Sequence, residues 1–257
     1  MQHSRKIRYI IAFLLLGISV LAFVAMNVCI GTVKISLEDI MASIGGQQIN
    51  NGRILWDIRM PRTMAAMILG GALALAGYLL QTFFHNPIAG PFVLGISSGA
   101  KMVVALVMVF LMGQAMRVSS VTLIVAAFLG AMISMGFVLL MSRKVNNMSM
   151  LVVSGVMIGY ICSAVTELVV TFANDAEIVN LHNWSRGSFS GMTWDNVIVM
   201  AVVITVTFVI VFFMAKPLSA YQLGESYAQN MGVNIRLLRV ALVILSSILA
   251  ACIVAFA

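Results

Sequence analysis

The chain has 257 residues, of which 62% are hydrophobic and only 9% charged, and it carries a formal net charge of +7. So little polar surface cannot cover a soluble globule, which excludes a water-soluble enzyme or binding domain and points to an integral membrane protein. The basic excess lies on no soluble face interleaved with aromatics, as nucleic-acid binding would need, and reads as a signal of membrane orientation.

Crossing a hydrocarbon core takes about 20 helical residues. Seven apolar runs approach or exceed that length, at 9–30, 63–84, 92–112, 121–141, 148–172, 197–215 and 240–257. None alternates apolar with polar as a barrel strand does, so helices are the way their amides are satisfied in lipid. The fold expected is all-α, a polytopic helical membrane protein. The first run follows Arg5, Lys6 and Arg8, but it is too long for a signal-peptide core and no A-x-A site closes it, so it reads as a retained helix. Cys29, Cys162 and Cys252 are far apart and odd in number, which favours free thiols over a disulfide. His3, His85 and His182 lie on separate segments, and no metal site is expected.

Positive charge is retained on the cytoplasmic side of a membrane. With the N-terminus inside, that side holds Arg5, Lys6, Arg8, Arg143, Lys144, Lys216, Arg236 and Arg239 against Glu225. The opposite side holds Asp175, Glu177 and Asp195 against Arg186, and a long first loop in which Lys34, Arg53, Arg59 and Arg62 face Glu38, Asp39 and Asp57. The bias supports a cytoplasmic N-terminus.

Residues 59–100 carry unusual punctuation. Arg59 and Arg62 flank Pro61, expected at the start of the second helix, where a missing N–H costs nothing. Ala66, Gly70, Ala74 and Gly77 then recur at helical spacing, a small-residue face that lets a neighbouring helix approach. Two prolines and a glycine in the segment from His85 to Pro91 stop that helix and permit re-entry into the next.

Several motifs appear together. They are Arg59-Met-Pro-Arg62, Gly70-Gly71-Ala72-Leu73-Ala74 with Gln81, Asn86-Pro87-Ile88-Ala89-x-Pro91, and Leu94-Gly95-Ile96-Ser97-Ser98-Gly99-Ala100. Later come Ser154-Gly155, Trp184-x-x-Gly187-Ser188 before Trp194, and Leu223-Gly224-Glu225-x-x-Ala228-x-x-Met231-Gly232-Val233. In this order the chain resembles the permease subunits of ABC importers for iron-siderophore complexes, haem and vitamin B12, the FecCD type, along nearly its whole length.

The resemblance implies a permease domain over 1–257 in the bacterial cytoplasmic membrane, with a cytoplasmic coupling loop at 216–236. Independently of it, Glu225 suits the start of a short helix and Gly232 its end, while Lys216-Pro217 closes the helix before. The resemblance makes this short helix the element that docks on a cytoplasmic ATPase, through Leu223, Gly224, Glu225, Ala228 and Gly232. It makes Arg59 and Arg62 the arginines that meet carboxylates of an extracytoplasmic substrate-binding protein, a task suited to a bidentate guanidinium. Snorkelling of these arginines to lipid phosphates is the plainer alternative.

For the translocation path the resemblance suggests Ser97 and Ser98 at the head of one helix and Ser154, Ser163, Thr166 and Glu167 on another. Glu167 is notable because a carboxylate in a membrane helix needs water, a partner or the interface. Lys101 departs from the family pattern, which has a small or apolar residue there. A second permease copy or paralogue, ATPase subunits, the binding protein and membrane lipid are the partners implied, with no cofactor. No Gly-x-x-x-x-Gly-Lys-Ser/Thr loop is present, so ATP hydrolysis is expected in another polypeptide.

Family members continue beyond the Ala-rich run at 249–257, so about seven helices of roughly ten are expected here, a C-terminally incomplete permease. The function expected is import of an iron-siderophore complex. Haem or vitamin B12 import, and a truncated membrane protein that does not transport, are the alternatives.

Overall fold

The computed structural model describes residues 2–31, 33, 35–36, 40, 42–43, 45, 52–112, 119–142 and 148–257, and the regular structure among them is helical. The helices are α1 (Gln2–Cys29), α2 (Met60–Phe84), α3 (Ile96–Met112), α4 (Ser120–Ser142), α5 (Met148–Thr171), α6 (Asp175–Ser185), α7 (Trp194–Phe213), α8 (Ala215–Gln222), α9 (Glu225–Asn230) and α10 (Ile235–Phe256). Lys34, Glu38, Asp39, Arg143 and Lys144, which entered the charge argument, lie outside the described residues.

Six described segments are long and apolar enough to cross a membrane: Lys6–Cys29, Ile54–Phe84, Ser120–Met141, Ser149–Thr171, Trp194–Phe213 and Ile235–Phe256. The remaining expected run, 92–112, is shortened. Pro91–Leu94 forms a 3-10 turn, and Gly95 with φ 71 ends it before α3 begins. The 17 residues of α3 rise about 26 Å at 1.5 Å per residue, close to the hydrocarbon thickness.

The start of α2 differs from expectation. A π-helical turn at Ile54–Arg59 precedes it, and the Met60 amide reaches back to the Leu55 carbonyl. Pro61 therefore sits inside a continuous helical segment. The wider turn just before it relieves the hydrogen-bond register that a residue without N–H would break.

The chain divides into two compact units, residues 1–67 with 190–197 and residues 68–189 with 198–257. In the first, Val28 of α1 packs with Ile35 and Leu55 into a small core joined by Ile40, Ile54 and Met60. From Lys6 to Asn27, α1 is exposed on almost every side, as suits a helix facing lipid.

In the second unit α3 is central, packed against α4, α5 and α6, while α10 packs on α4 and α3. The α3–α4 crossing is close because both helices present glycine. A Cβ on Gly99 would collide with the Ser134 hydroxyl and the Gly130 carbonyl. At the α3–α5 crossing a Cβ on Gly95 would stand 2.8 Å from the Gly159 amide nitrogen. By contrast, Gly70 and Gly77 of α2 have nothing within 4 Å of a would-be Cβ, and Ala66, Gly70 and Ala74 are exposed. The small-residue face expected to receive a helix is open among the described residues. Close approach instead uses Gly99 and Gly130 between α3 and α4, and Gly95 and Gly155 between the turn before α3 and α5.

Helix α6 is an element the apolar pattern did not contain. Its start is an Asn174/Glu177 capping box, with the Asn174 side chain accepting from the Glu177 amide and the Glu177 carboxylate accepting from the Asn174 amide, each at 3.0 Å.

Candidate translocation path and coupling surface

Arg59 and Arg62 are one turn apart, and the fold uses them differently. Arg59 is buried; its guanidinium donates to the Val28 carbonyl at 2.5 Å and to the Val33 carbonyl. It lies over Gly31, where a Cβ would stand 2.5 Å from Nη2. The charge therefore satisfies carbonyls at and beyond the C-terminal end of α1, the negative pole of that helix. Arg62 is half-exposed and donates from Nη2 to the Ser190 carbonyl at 2.7 Å, while its Nε is buried with no partner among the described residues. In the same unit the Trp194 indole donates to the Trp56 carbonyl at 2.8 Å. The two bonds tie the start of α7 and the residues before it to the start of α2 and the turn that leads into it.

The α3–α5 crossing leaves a cleft of about 240 Å³, lined by Phe92, Val93, Ser98, Val156, Tyr160 and Ser163 together with Gly95 and Gly159. Two of the expected path residues meet here. The Ser163 hydroxyl donates to the Ser98 hydroxyl at 3.5 Å. Positions 156, 160, 163 and 167 fall on one α5 stripe at helical spacing, so exposed Glu167 continues the lining face one turn beyond Ser163. The other expected residues are placed elsewhere. Thr166 is buried, with its hydroxyl on the Cys162 carbonyl at 2.8 Å, and Ser154 donates to the Met150 carbonyl at 2.8 Å. Ser97 and Lys101 are half-buried outside this lining. Phe92, Val93 and Tyr160 went unrecognised in the sequence, since an aliphatic or aromatic residue in an apolar run carries no mark of the face it takes.

The third site surrounds α8 and α9. Helix α7 ends at Phe213, and Lys216-Pro217 opens α8 instead of closing the helix before it, with Pro217 in the first turn where no N–H is needed. Gly224, with φ 126, precedes Glu225 at the head of α9, and Gly232, with φ 82, follows its end. The short helix expected from Glu225 and Gly232 is thus present, six residues long. Ala228 is buried beneath it. A groove of about 420 Å³ runs between α8 and α9, with Lys216, Ser219, Leu223, Tyr227 and Met231 in its walls. Leu223 and Met231 are 71% and 63% exposed.

Glu225 itself turns inward. Its carboxylate is paired with Arg239 on α10 and accepts from the Tyr221 hydroxyl at 3.1 Å. Arg239 also donates from Nε to the Tyr221 oxygen at 3.4 Å. Tyr221 is fully buried; burial raises its phenol above the usual value, against the opposing pull of the Arg239 guanidinium, so the hydroxyl stays protonated and able to donate. The His85 ring meets the Tyr221 ring edge-on with centroids 4.7 Å apart, and Gln222 donates to the Tyr78 hydroxyl and the Thr82 hydroxyl of α2, each at 3.1 Å. None of Tyr221, Gln222 or Arg239 was singled out in the sequence as a site residue. Only the four-residue spacing of Tyr221 and Glu225 was there to be read.

The profile of the FecCD transport family matches residues 17–257. The chain belongs to the FecCD family. It is 32% identical over 243 residues to the vitamin B12 import system permease protein BtuC of Salmonella typhi, a match spanning 95% of this chain and 71% of that relative. The BtuC protein of Salmonella newport gives the same identity and coverage. In three dimensions the chain superposes with a TM-score of 0.80 and 25% identity on an inward-facing structure of an ABC transporter described as of metal-chelate type, over 95% of this chain and 76% of the other. This FecCD protein is therefore a multi-pass membrane permease of the ABC importer type, and the family implies ATPase partners and a paired permease.

Proposed function

We propose that this FecCD permease forms half of the membrane path for a metal chelate, with cobalamin the first reading of its cargo. The chain lies in the cytoplasmic membrane with its N-terminus inside, ATP being hydrolysed by a separate subunit that docks on α8 and α9. The observation that supports the reading is the α3–α5 cleft, whose walls are apolar and hydroxylated, with the Glu167 carboxylate one turn beyond them. The cleft is a patch of wall and not a chamber, and as part of a wider path such a surface lets a large, nearly neutral chelate pass without holding it, because no ion pair must be broken to release it. The B12 permeases to which the chain is 32% identical support cobalamin over a charged cargo.

Import of an iron-siderophore complex is the second reading, supported by the likeness to a transporter described as of metal-chelate type. Neutral hydroxamate chelates suit the same walls. In proteoliposomes holding the complete transporter, ATP-driven uptake of labelled cobalamin that excess ferric hydroxamate does not compete away supports the first reading. Uptake of the ferric chelate alone replaces it with the second.

On the extracytoplasmic side, Arg62 is the candidate to meet a carboxylate of a binding protein, since it is half-exposed with one bond to the Ser190 carbonyl, whereas Arg59 is buried against two carbonyls. On the cytoplasmic side, exposed Leu223, Tyr227 and Met231 form the apolar docking surface. Gly224, Ala228 and Gly232 shape it from beneath.

A further inference from the structure

We propose that the Glu225–Arg239 ion pair, braced by Tyr221, is the joint that carries displacement of α9 into α10, which makes Arg239 a positioning residue for transport. The proposal rests on the reading of α8 and α9 as the ATPase docking surface and adds how a push there reaches the helices behind it.

Helix α9 is six residues long and lies between Gly224 and Gly232, both at positive φ. Glycine-flanked ends bend easily, so the main chain alone transmits little of a push on α9. A side-chain link is required. Glu225, the first residue of α9, supplies it to Arg239 in the second turn of α10, and the buried Tyr221 hydroxyl fixes the same carboxylate oxygen from α8. The bond between the Val233 amide and the Ala228 carbonyl, 3.0 Å, holds the far end of α9. From α10 the connection continues through packing: α10 lies on α3 and α4, and α3 lines the cleft.

A charged joint is suited to this position. The two side chains are 36% and 37% exposed, so the pair is held by charge-assisted hydrogen bonds without the full cost of burying ions. On the other side of Tyr221, neutral contacts from Gln222 and His85 seat α8 against the end of α2. One helix of the docking surface is thus seated on α2, and the other is linked by charge to α10.

The test uses the full chain assembled with its ATPase and second permease in lipid nanodiscs, with Val156→Cys in the cleft as reporter and Cys29, Cys162 and Cys252 replaced by Ser. ATP alters the maleimide labelling rate of the reporter in the parent protein. With Arg239→Gln the ATPase still co-purifies at the parental level, but the ATP-dependent change in labelling falls about five- to tenfold, and Glu225→Arg with Arg239→Glu restores most of it. The joint is refuted if Arg239→Gln keeps the full ATP response, if it loses the ATPase, or if the exchanged pair does no better than the single variant while retaining the ATPase. Should the parent itself fail to co-purify the ATPase, the docking assignment falls, and the joint with it.

Discussion

Arg59 donates to the main-chain carbonyl of Val28 across 31 residues of sequence and is thereby withdrawn from the surface that its motif suggested it would serve. Arg62, one turn further on, is half-exposed, with its Nε buried and its Nη2 on the Ser190 carbonyl. A single Arg-x-Pro-Arg motif thus supplies one buried cation and one half-exposed one.

The division predicts different phenotypes. Arg59→Ala leaves two carbonyls without their donor and costs about 1.5–3 kcal/mol per bond to a charged group, read as a lowered Tm in detergent. Arg62→Glu lowers Tm less, since it removes a single exposed bond to the Ser190 carbonyl, and weakens capture of the loaded binding protein, with the loss shrinking as salt rises.

Gly95 and Gly70 give a second contrast. Gly95→Ala forces a Cβ against the Gly159 backbone at φ 71 and is expected to cost about 1–3 kcal/mol, whereas Gly70→Ala meets nothing within 4 Å and gains up to about 1 kcal/mol of helix propensity. Thermal unfolding of the two variants in parallel measures the difference. Equal shifts would contradict the α3–α5 crossing.

How much of this was legible follows from where each signal resides. Most of the spans were readable as long apolar runs, and the α2–α3 break and both ends of α9 because Asn-Pro, Glu225 and Gly232 act locally. The Asn174/Glu177 capping box was equally local, but α6 is too polar to stand out beside membrane spans. What stayed hidden depends on distant partners. The direction of the Arg59 side chain is set by where α1 ends, and Glu225 meets Arg239 only because α9 folds back on α10. The Gly70 face shows the converse: spacing identifies a helix face but not what covers it.

The cleft supplies a third prediction. Ser163→Phe fills the space opposite Ser98 and lowers the ATP-driven uptake rate by about tenfold, equivalent to ~1.4 kcal/mol on the barrier, while Thr166→Val, which alters a hydroxyl bonded inside α5, leaves uptake within about twofold. Initial rates in proteoliposomes separate them. Equal effects would move the path away from this face of α5.

Removing the Tyr221 hydroxyl tests the buried end of the coupling cluster. Tyr221→Phe keeps the ring against His85 but leaves the Glu225 carboxylate with one donor fewer, which is expected to cost about 1–2 kcal/mol of stability. Chemical denaturation of the solubilised protein reads the loss.

The central claim, that α8 and α9 receive the ATPase, is tested most directly by co-purifying that ATPase with the permease and with its Leu223→Asp, Met231→Asp variant. Placing two carboxylates on the exposed apolar surface is expected to weaken association by at least about tenfold, ~1.4 kcal/mol, with the permease still folded. Undiminished co-purification of the variant would contradict the assignment.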